Sequence, residues 1–99
     1  MKRKKTITFT ISAVNDLDDM RAWYAEQQVP AVGDKLLREI VSQVERLCAF
    51  PESGRVVPEF GLANLREIIF PPFRIIYRLD ESKVRVVRVW RSERLLKIP

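Results

Sequence analysis

The hydrophobic period of this chain changes from helical to strand-like at a turn near its middle, and that change limits the possible folds most. Between Ala13 and Phe50, apolar residues recur at steps of three and four, as one face of a helix requires. The turn Pro51-Glu52-Ser53-Gly54 ends this pattern, and beyond it apolar residues follow the period of two that is typical of strands. Helices followed by strands, without regular alternation, predict an α+β fold.

The part before the turn is predicted to contain one strand and two helices. The alternation in Thr6–Ile11 predicts the strand, and Ser12 after it is an expected helix N-cap. Helical spacing then runs through residues 13–24 and 32–50, with a break at Gln27–Pro30. Two helices joined by so short a link are expected to pack as an antiparallel hairpin.

The part after the turn is predicted to form a three-stranded antiparallel meander. Its strands are expected at Leu65–Phe70, Phe73–Leu79 and Val84–Trp90. In the last strand, strict alternation would put Val84 and Val86 on one face and Val87 and Val89 on the other. The prediction is therefore one domain over residues 1–99, in which an N-terminal strand, a helical hairpin and the meander build a single sheet covered on one side.

Charge is distributed unevenly along the 99 residues, whose net charge is +5. Residues 6–53 carry four basic and eight acidic groups, whereas residues 54–99 carry ten basic and five acidic groups. A basic strand-rich half predicts an anionic partner, either nucleic acid or an acidic protein segment. A solvated surface with an ordinary excess of arginine is the alternative interpretation.

Several classes of protein are not favoured by this sequence. No apolar run approaches the length of a membrane span, and the basic start lacks the apolar core of a secretory signal, so a cytoplasmic protein without a membrane partner is expected. The single cysteine, Cys48, excludes an internal disulfide. No metal-ligand cluster or phosphate loop is present, and neither a metal nor a cofactor is expected.

Acid–base chemistry also has few candidates. The chain contains no histidine, which is the usual group that titrates near neutral pH. Its two tyrosines are Tyr24, on an apolar helical stripe, and Tyr77, on an apolar strand face, and both positions favour packing over catalysis.

Four short motifs, in order along the chain, resemble those of the RelE/ParE family of small bacterial toxins, most closely its ParE-like branch. They are Ala13-Val14-Asn15-Asp16-Leu17 at the start of the first helix, Leu47 to Pro51 followed by Gly54-Arg55 at the junction, Arg66-Glu67 in the next strand, and Phe73-Arg74-Ile75-Ile76-Tyr77 in the central strand. Each motif is weak alone. The predicted order of elements is also similar to the fold of this family over essentially the whole chain.

The resemblance implies the toxin of a type II toxin–antitoxin pair, neutralised by a cognate antitoxin. Members of the ParE branch inhibit DNA gyrase, whereas members of the RelE branch cut messenger RNA on the ribosome. The lack of histidine and of a C-terminal tyrosine favours a gyrase inhibitor that binds and does no chemistry. A ribosome-dependent endoribonuclease and a non-toxic basic domain that binds nucleic acid remain the alternatives.

The candidate site residues are mostly arginines of the basic half. Contacts to the target are expected from Arg55, Arg66, Arg74, Arg78, Trp90, Arg91 and Arg94. If the protein were a nuclease, Arg74, Arg91 and Arg94 would surround the phosphate. Arg55 has a structural interpretation as well, as a ligand of carbonyls or a carboxylate at the helix–strand junction. The antitoxin is expected in an apolar groove formed by Ile7, Phe9, the hairpin and the basic sheet.

Overall fold

The computed structural model describes residues 5–91, in which two helices lie on one face of a five-stranded sheet. The strands are β1 (Thr6–Phe9), β2 (Arg55–Val56), β3 (Leu65–Phe70), β4 (Phe73–Leu79) and β5 (Lys83–Arg91). The helices are α1 (Ile11–Glu26) and α2 (Pro30–Glu45), and a short 3-10 helix follows at Arg46–Cys48. None of the helices described is both long and apolar enough to cross a membrane.

The strand order is β1-β5-β4-β3-β2, with β1 parallel to β5 and the other neighbours antiparallel. The predicted α+β class is confirmed, and so is the predicted three-stranded meander, which consists of β3, β4 and β5. The strand β2 was not predicted because two residues are too few to show an alternation. The turn between β3 and β4 contains a cis peptide bond between Pro71 and Pro72.

Both helices differ from the prediction at their ends. The N-cap of α1 is Thr10 and not Ser12: its hydroxyl accepts the amide of Ala13 at 3.1 Å. The same hydroxyl donates to the carbonyl of Val87 at 3.0 Å, so the cap also fixes the helix against β5. The second helix ends at Glu45 and not near Phe50, because the chain tightens into the 3-10 turn before the proline.

Apolar side chains form separate clusters on the two faces of the sheet. The larger cluster lies between the helices and the sheet and includes Leu17, Ile40, Val44, Ile75 and Tyr77. A smaller cluster lies on the other face and consists of Val57, Leu65, Ile76 and Val87, with Trp90 packed against it. Burial on both faces explains why β4 is apolar throughout most of its length.

The last strand departs from strict alternation at a bulge. Tyr77 is paired with Val86 and Ile76 with Arg88, so Val87 is an extra residue in β5. The prediction that Val87 and Val89 share a face is therefore wrong: Val87 packs in the smaller cluster, and Val89 returns to the cluster under the helices. The bulge shifts every later residue of β5 by one position, and this shift sets the orientation of Trp90 and Arg91.

Candidate functional site

The face of the sheet that points away from the helices carries most of the predicted site. We call it the open face. Because Ile76 lies on this face, alternation along β4 places Arg74 and Arg78 beside it. The strand pairings then add Glu67 opposite Ile76 and Arg55 opposite Glu67. Arginines from two strands, β2 and β4, are thus brought to one surface, and Arg74 and Arg78 share a strand face as the alternation predicts.

Three of these side chains form a charge network with Glu59, which lies in the segment between β2 and β3. The carboxylate of Glu67, almost fully buried, accepts the Nε–H of Arg55 at 2.7 Å and that of Arg74 at 2.6 Å. The remaining edge of Arg74 donates to both carboxylate oxygens of Glu59, with Nη1–Oε2 at 2.6 Å and Nη2–Oε1 at 2.8 Å. Two guanidinium groups and two carboxylates therefore neutralise one another within this network.

The network changes what Arg74 can do. Its side chain is only 9 % exposed, and its pKa is raised by the hydrogen bonds to Glu59 and Glu67. In turn, the hydrogen bonds from Arg74 lower the pKa of Glu59 from 4.5 to about 2. The cation that the family resemblance assigns to a phosphate is thus already held by carboxylates on two sides, one of them in the segment between β2 and β3.

The low pKa of Glu59 predicts a pH-dependent contribution to stability. Because the folded-state value lies below the usual one, the contribution is complete above about pH 4.5 and disappears as the pH falls towards 2. Since the Glu59 side chain is 43 % exposed, solvent screening limits this contribution to no more than about 1 kcal/mol. Urea titrations of the wild type and Glu59→Gln should show a difference at pH 7 that shrinks steadily between pH 4.5 and 2. A difference that stays constant over that range would contradict the assigned pairing.

Three of the sequence motifs meet beside the network. The hydroxyl of Tyr77 accepts the amide of Gly54 at 2.9 Å and donates to the carbonyl of Pro51 at 2.8 Å. Arg66 reaches the same junction, where its Nη1 donates to the carbonyl of Gly54 at 3.0 Å. Together with the Arg55–Glu67 pair, these bonds fasten the helix–strand junction to β3 and β4. The structural interpretation of Arg55 is confirmed by this contact.

The tyrosines are placed for packing. Tyr77 is fully buried, and burial raises the pKa of its phenol, so a phenolate base at this position is disfavoured. Tyr24 is partly buried against the larger cluster, and its ring meets that of Trp23 edge to face, with centroids 4.8 Å apart. Within residues 5–91, no group of three or more His, Cys, Asp or Glu residues is arranged to hold a metal ion.

The other predicted residues lie at the end of β5, around a separate cavity. This cavity of about 480 Å³ lies between α1 and the ends of β4 and β5, and its walls include Trp23, Tyr24, Phe73, Trp90 and Arg91. The guanidinium of Arg91 is 5.9 Å from the ring centroid of Trp23 and 5.8 Å from that of Phe73. The walls of the cavity are mostly aromatic, and its charged lining residues are Arg91, Asp16 and Asp19.

An ion pair closes the side of this cavity. Asp16 of α1 accepts Nε of Arg88 at 2.7 Å and the backbone amide of Val89 at 2.9 Å. Arg88 also stacks on Trp90, with its Cζ 4.1 Å from the ring centroid. The strand β1 pairs with β5 only as far as Val86. Beyond that point, the carboxylate of Asp16 replaces β1 as a hydrogen-bond partner of the β5 backbone, at the amide of Val89.

The structure thus separates the predicted site residues. Arg55 and Arg74 belong to the charge network, Arg66 to the junction, and Trp90 and Arg91 to the aromatic cavity. Arg78 stays on the open face, and Arg94 lies outside the described residues. Sequence reasoning missed the carboxylates that hold the arginines, Asp16, Glu59 and Glu67. Asp16 and Glu67 each lie in one of the sequence motifs, but neither motif shows which arginine its carboxylate meets.

Comparison with known proteins identifies the family. Residues 7–96 match the family model described as the ParE toxin of the type II toxin–antitoxin system parDE. The chain belongs to this family. It is also 29 % identical over 90 residues to the toxin RelE2 of Caulobacter vibrioides. The matched segment covers 90 % of this chain and 97 % of RelE2.

Two solved structures have the same fold. A chain of the chromosomal ParDE system from P. aeruginosa superposes with a TM-score of 0.78 at 23 % identity, covering 93 % of this chain and all of that chain. A chain of the RelBE2 toxin–antitoxin complex from Mycobacterium tuberculosis gives a TM-score of 0.60 at 21 % identity, covering 89 % and 98 %. At these identities the likeness concerns the fold, which the ParE and RelE toxins share.

Proposed function

We propose that this ParE-family toxin acts by binding and inhibiting DNA gyrase, and that a cognate antitoxin neutralises it. The observation that supports inhibition by binding is the charge network on the open face. Arg74, which a RelE-type nuclease would use to hold a phosphate, is bonded through both edges to Glu59 and Glu67. An anion could reach this guanidinium only after displacing a charged, bidentate partner.

Proton transfer is a second argument against cleavage of RNA. Attack by a 2′-hydroxyl requires a base and an acid within hydrogen-bond reach of the reacting atoms. The chain has no histidine, and the Tyr77 hydroxyl is committed to Gly54 and Pro51. Among the described residues, the carboxylates nearest Arg74 are its own ion-pair partners. A protein of this kind inhibits through its surface.

The target assignment predicts opposite outcomes in two assays of the purified toxin. We expect the protein to block supercoiling of relaxed plasmid by gyrase, with the inhibition saturating as toxin is added. We also expect messenger RNA in programmed ribosomes to remain intact over the same concentration range, as seen by primer extension. Specific cleavage of ribosome-bound message, with gyrase unaffected, would overturn the proposal and favour the endoribonuclease alternative.

The aromatic cavity is the surface that supports antitoxin binding. Ile7 and Phe9 are partly buried and pack against the core under the helices, so they offer little open apolar surface for the predicted groove. Trp23 of α1 is 49 % exposed and lines the cavity, so an apolar surface is accessible there. An amphipathic antitoxin segment with an apolar anchor would suit the aromatic walls of the cavity. Co-expression with the product of a neighbouring short reading frame should restore growth, and Trp23→Ala should weaken the purified complex.

A further inference from the structure

Positive charge on the open face is concentrated at the end away from the charge network. That end is formed by the start of β1, the end of β4, the turn after it and the start of β5. We call it the basic corner, and its cationic side chains are Lys5, Arg78, Lys83 and Arg85. The turn contributes two acidic residues, Asp80 and Glu81, so the corner keeps a net positive charge. The charge network at the other end is neutral overall, because its guanidinium groups and carboxylates are equal in number.

The strand pairing holds two of these cations against each other. Arg78 of β4 is directly opposite Arg85 of β5, a placement in which like charges destabilise a sheet. Within residues 5–91, no carboxylate lies within ion-pair distance of Arg78 or Lys83. Arg85 has only a long contact of 3.6 Å to Asp80, and both side chains are more than 40 % exposed. Such a contact stabilises the fold very little.

The rest of the corner fixes these cations in place without neutralising them. Lys5 donates to the backbone carbonyls of Asp80 and Glu81, at 2.6 and 2.7 Å, and its charge therefore remains. Thr6 and Thr8 of β1 lie beside Lys83 and Arg85 in the parallel pairing. The hydroxyl oxygen of Thr8 is buried, whereas Thr6 is exposed. The corner thus has a base of three paired strands and a surface of ammonium and guanidinium groups with the Thr6 hydroxyl beside them.

We propose that the basic corner binds the phosphodiester backbone of duplex DNA without regard to sequence. Neighbouring cations on adjacent strands suit successive phosphates, and the hydroxyl of the exposed Thr6 can join such contacts. Proteins that bind single strands place aromatic rings among the cations so that bases stack, whereas the strand positions of the basic corner carry no aromatic ring. The biological meaning rests on the proposed function, because an inhibitor of gyrase works beside the DNA that gyrase holds.

Binding can be tested on the full chain with a fluorescent 20-base-pair duplex of arbitrary sequence, by anisotropy at several salt concentrations. Non-specific binding of this kind has a Kd of about 10⁻⁴ to 10⁻⁶ M, and each phosphate contact adds about 0.9 to the slope of log K against log salt. We expect the double variant Arg78→Gln/Arg85→Gln to bind at least about tenfold more weakly, with the slope reduced by about 2.

The matched control removes the same charge from the helical layer. Lys35 and Arg38 are exposed on α2, and Lys35→Gln/Arg38→Gln should change the affinity less than about twofold. An equal loss in both variants would overturn the proposal, since it would show attraction by net charge alone. Tighter binding of single-stranded RNA than of the duplex would also overturn it. Since no gyrase is present, this result is separate from the supercoiling assay, and either proposal can fail while the other holds.

Discussion

Glu67→Ala is expected to lower the free energy of unfolding by roughly 3–5 kcal/mol, because it removes the inner partner of a buried charge. The side chain of Arg74 is 9 % exposed, and in the variant it keeps only Glu59, at the outer edge of the network. Arg55 contributes less to the loss, since its side chain is 58 % exposed and water can replace the carboxylate. For a domain of this size, the melting temperature should fall by more than about 10 °C.

Two further variants distinguish loss of the ion pair from a general sensitivity of the sheet. Glu39→Ala removes a carboxylate whose contact to Lys35 is exposed and 3.9 Å long, and it should change stability by less than about 0.5 kcal/mol. Replacing both buried partners, as in Glu67→Leu/Arg74→Met, should recover much of the loss because no unpaired buried charge remains. If the double replacement were as unstable as Glu67→Ala, burial of charge would not be the cause of the effect.

The network shows which part of the site the sequence could predict. Alternation was enough to place Arg74 and Arg78 on one face of a strand, and that placement depends on no other part of the chain. The partners of Arg74 depend on the register between β3 and β4 and on the path of the segment that carries Glu59. Neither leaves a periodic signal in the sequence. Arginines that appeared free in the sequence were therefore partly neutralised in the fold.

The end of β5 shows the same limit for backbone geometry. The chain follows the predicted alternation up to Val86, where β1 stops pairing, and the extra residue Val87 then reverses it. Bulges of this kind are common where a strand loses a neighbour, but a run of valines and arginines does not show at which residue the pairing slips. The consequence is functional, because the shift directs Arg91 towards Trp23 and Phe73 in the aromatic cavity.

The two halves of the chain differ in charge, as the sequence indicates, but part of this difference is cancelled by ion pairs within the fold. Some acidic side chains of the helical half form ion pairs with basic side chains of the strands, as in the Asp16–Arg88 pair that joins α1 to β5. Within residues 5–91, Arg78 and Lys83 of the basic corner have no carboxylate within ion-pair distance. The number of charges in the sequence predicts an anionic partner, whereas the ion pairs in the structure indicate where that partner would bind.

Gly54→Ala should lower the free energy of unfolding by about 2–4 kcal/mol, through overpacking and the loss of a buried hydrogen bond. A Cβ atom at this position would lie 2.5 Å from the Tyr77 hydroxyl oxygen and 2.6 Å from the carbonyl oxygen of Glu67. Real Cβ atoms do not approach so closely, and one of the contacts is backbone, so the junction must move away from β3. Urea unfolding measures the loss, and Ser53→Ala, at an exposed neighbour, should be nearly neutral.

A double-mutant cycle with Tyr77→Phe tests whether the clash arises at the hydroxyl. Alone, Tyr77→Phe leaves the Gly54 amide and the Pro51 carbonyl without their partner, which costs about 1–3 kcal/mol. In Gly54→Ala/Tyr77→Phe, the shortest contact of the new methyl group disappears, so the combined loss should be smaller than the sum by at least about 0.5 kcal/mol. Simple additivity would show that the carbonyl of Glu67 dominates. In that case, the glycine of the Gly-Arg motif is required by the neighbouring strand and not by the tyrosine.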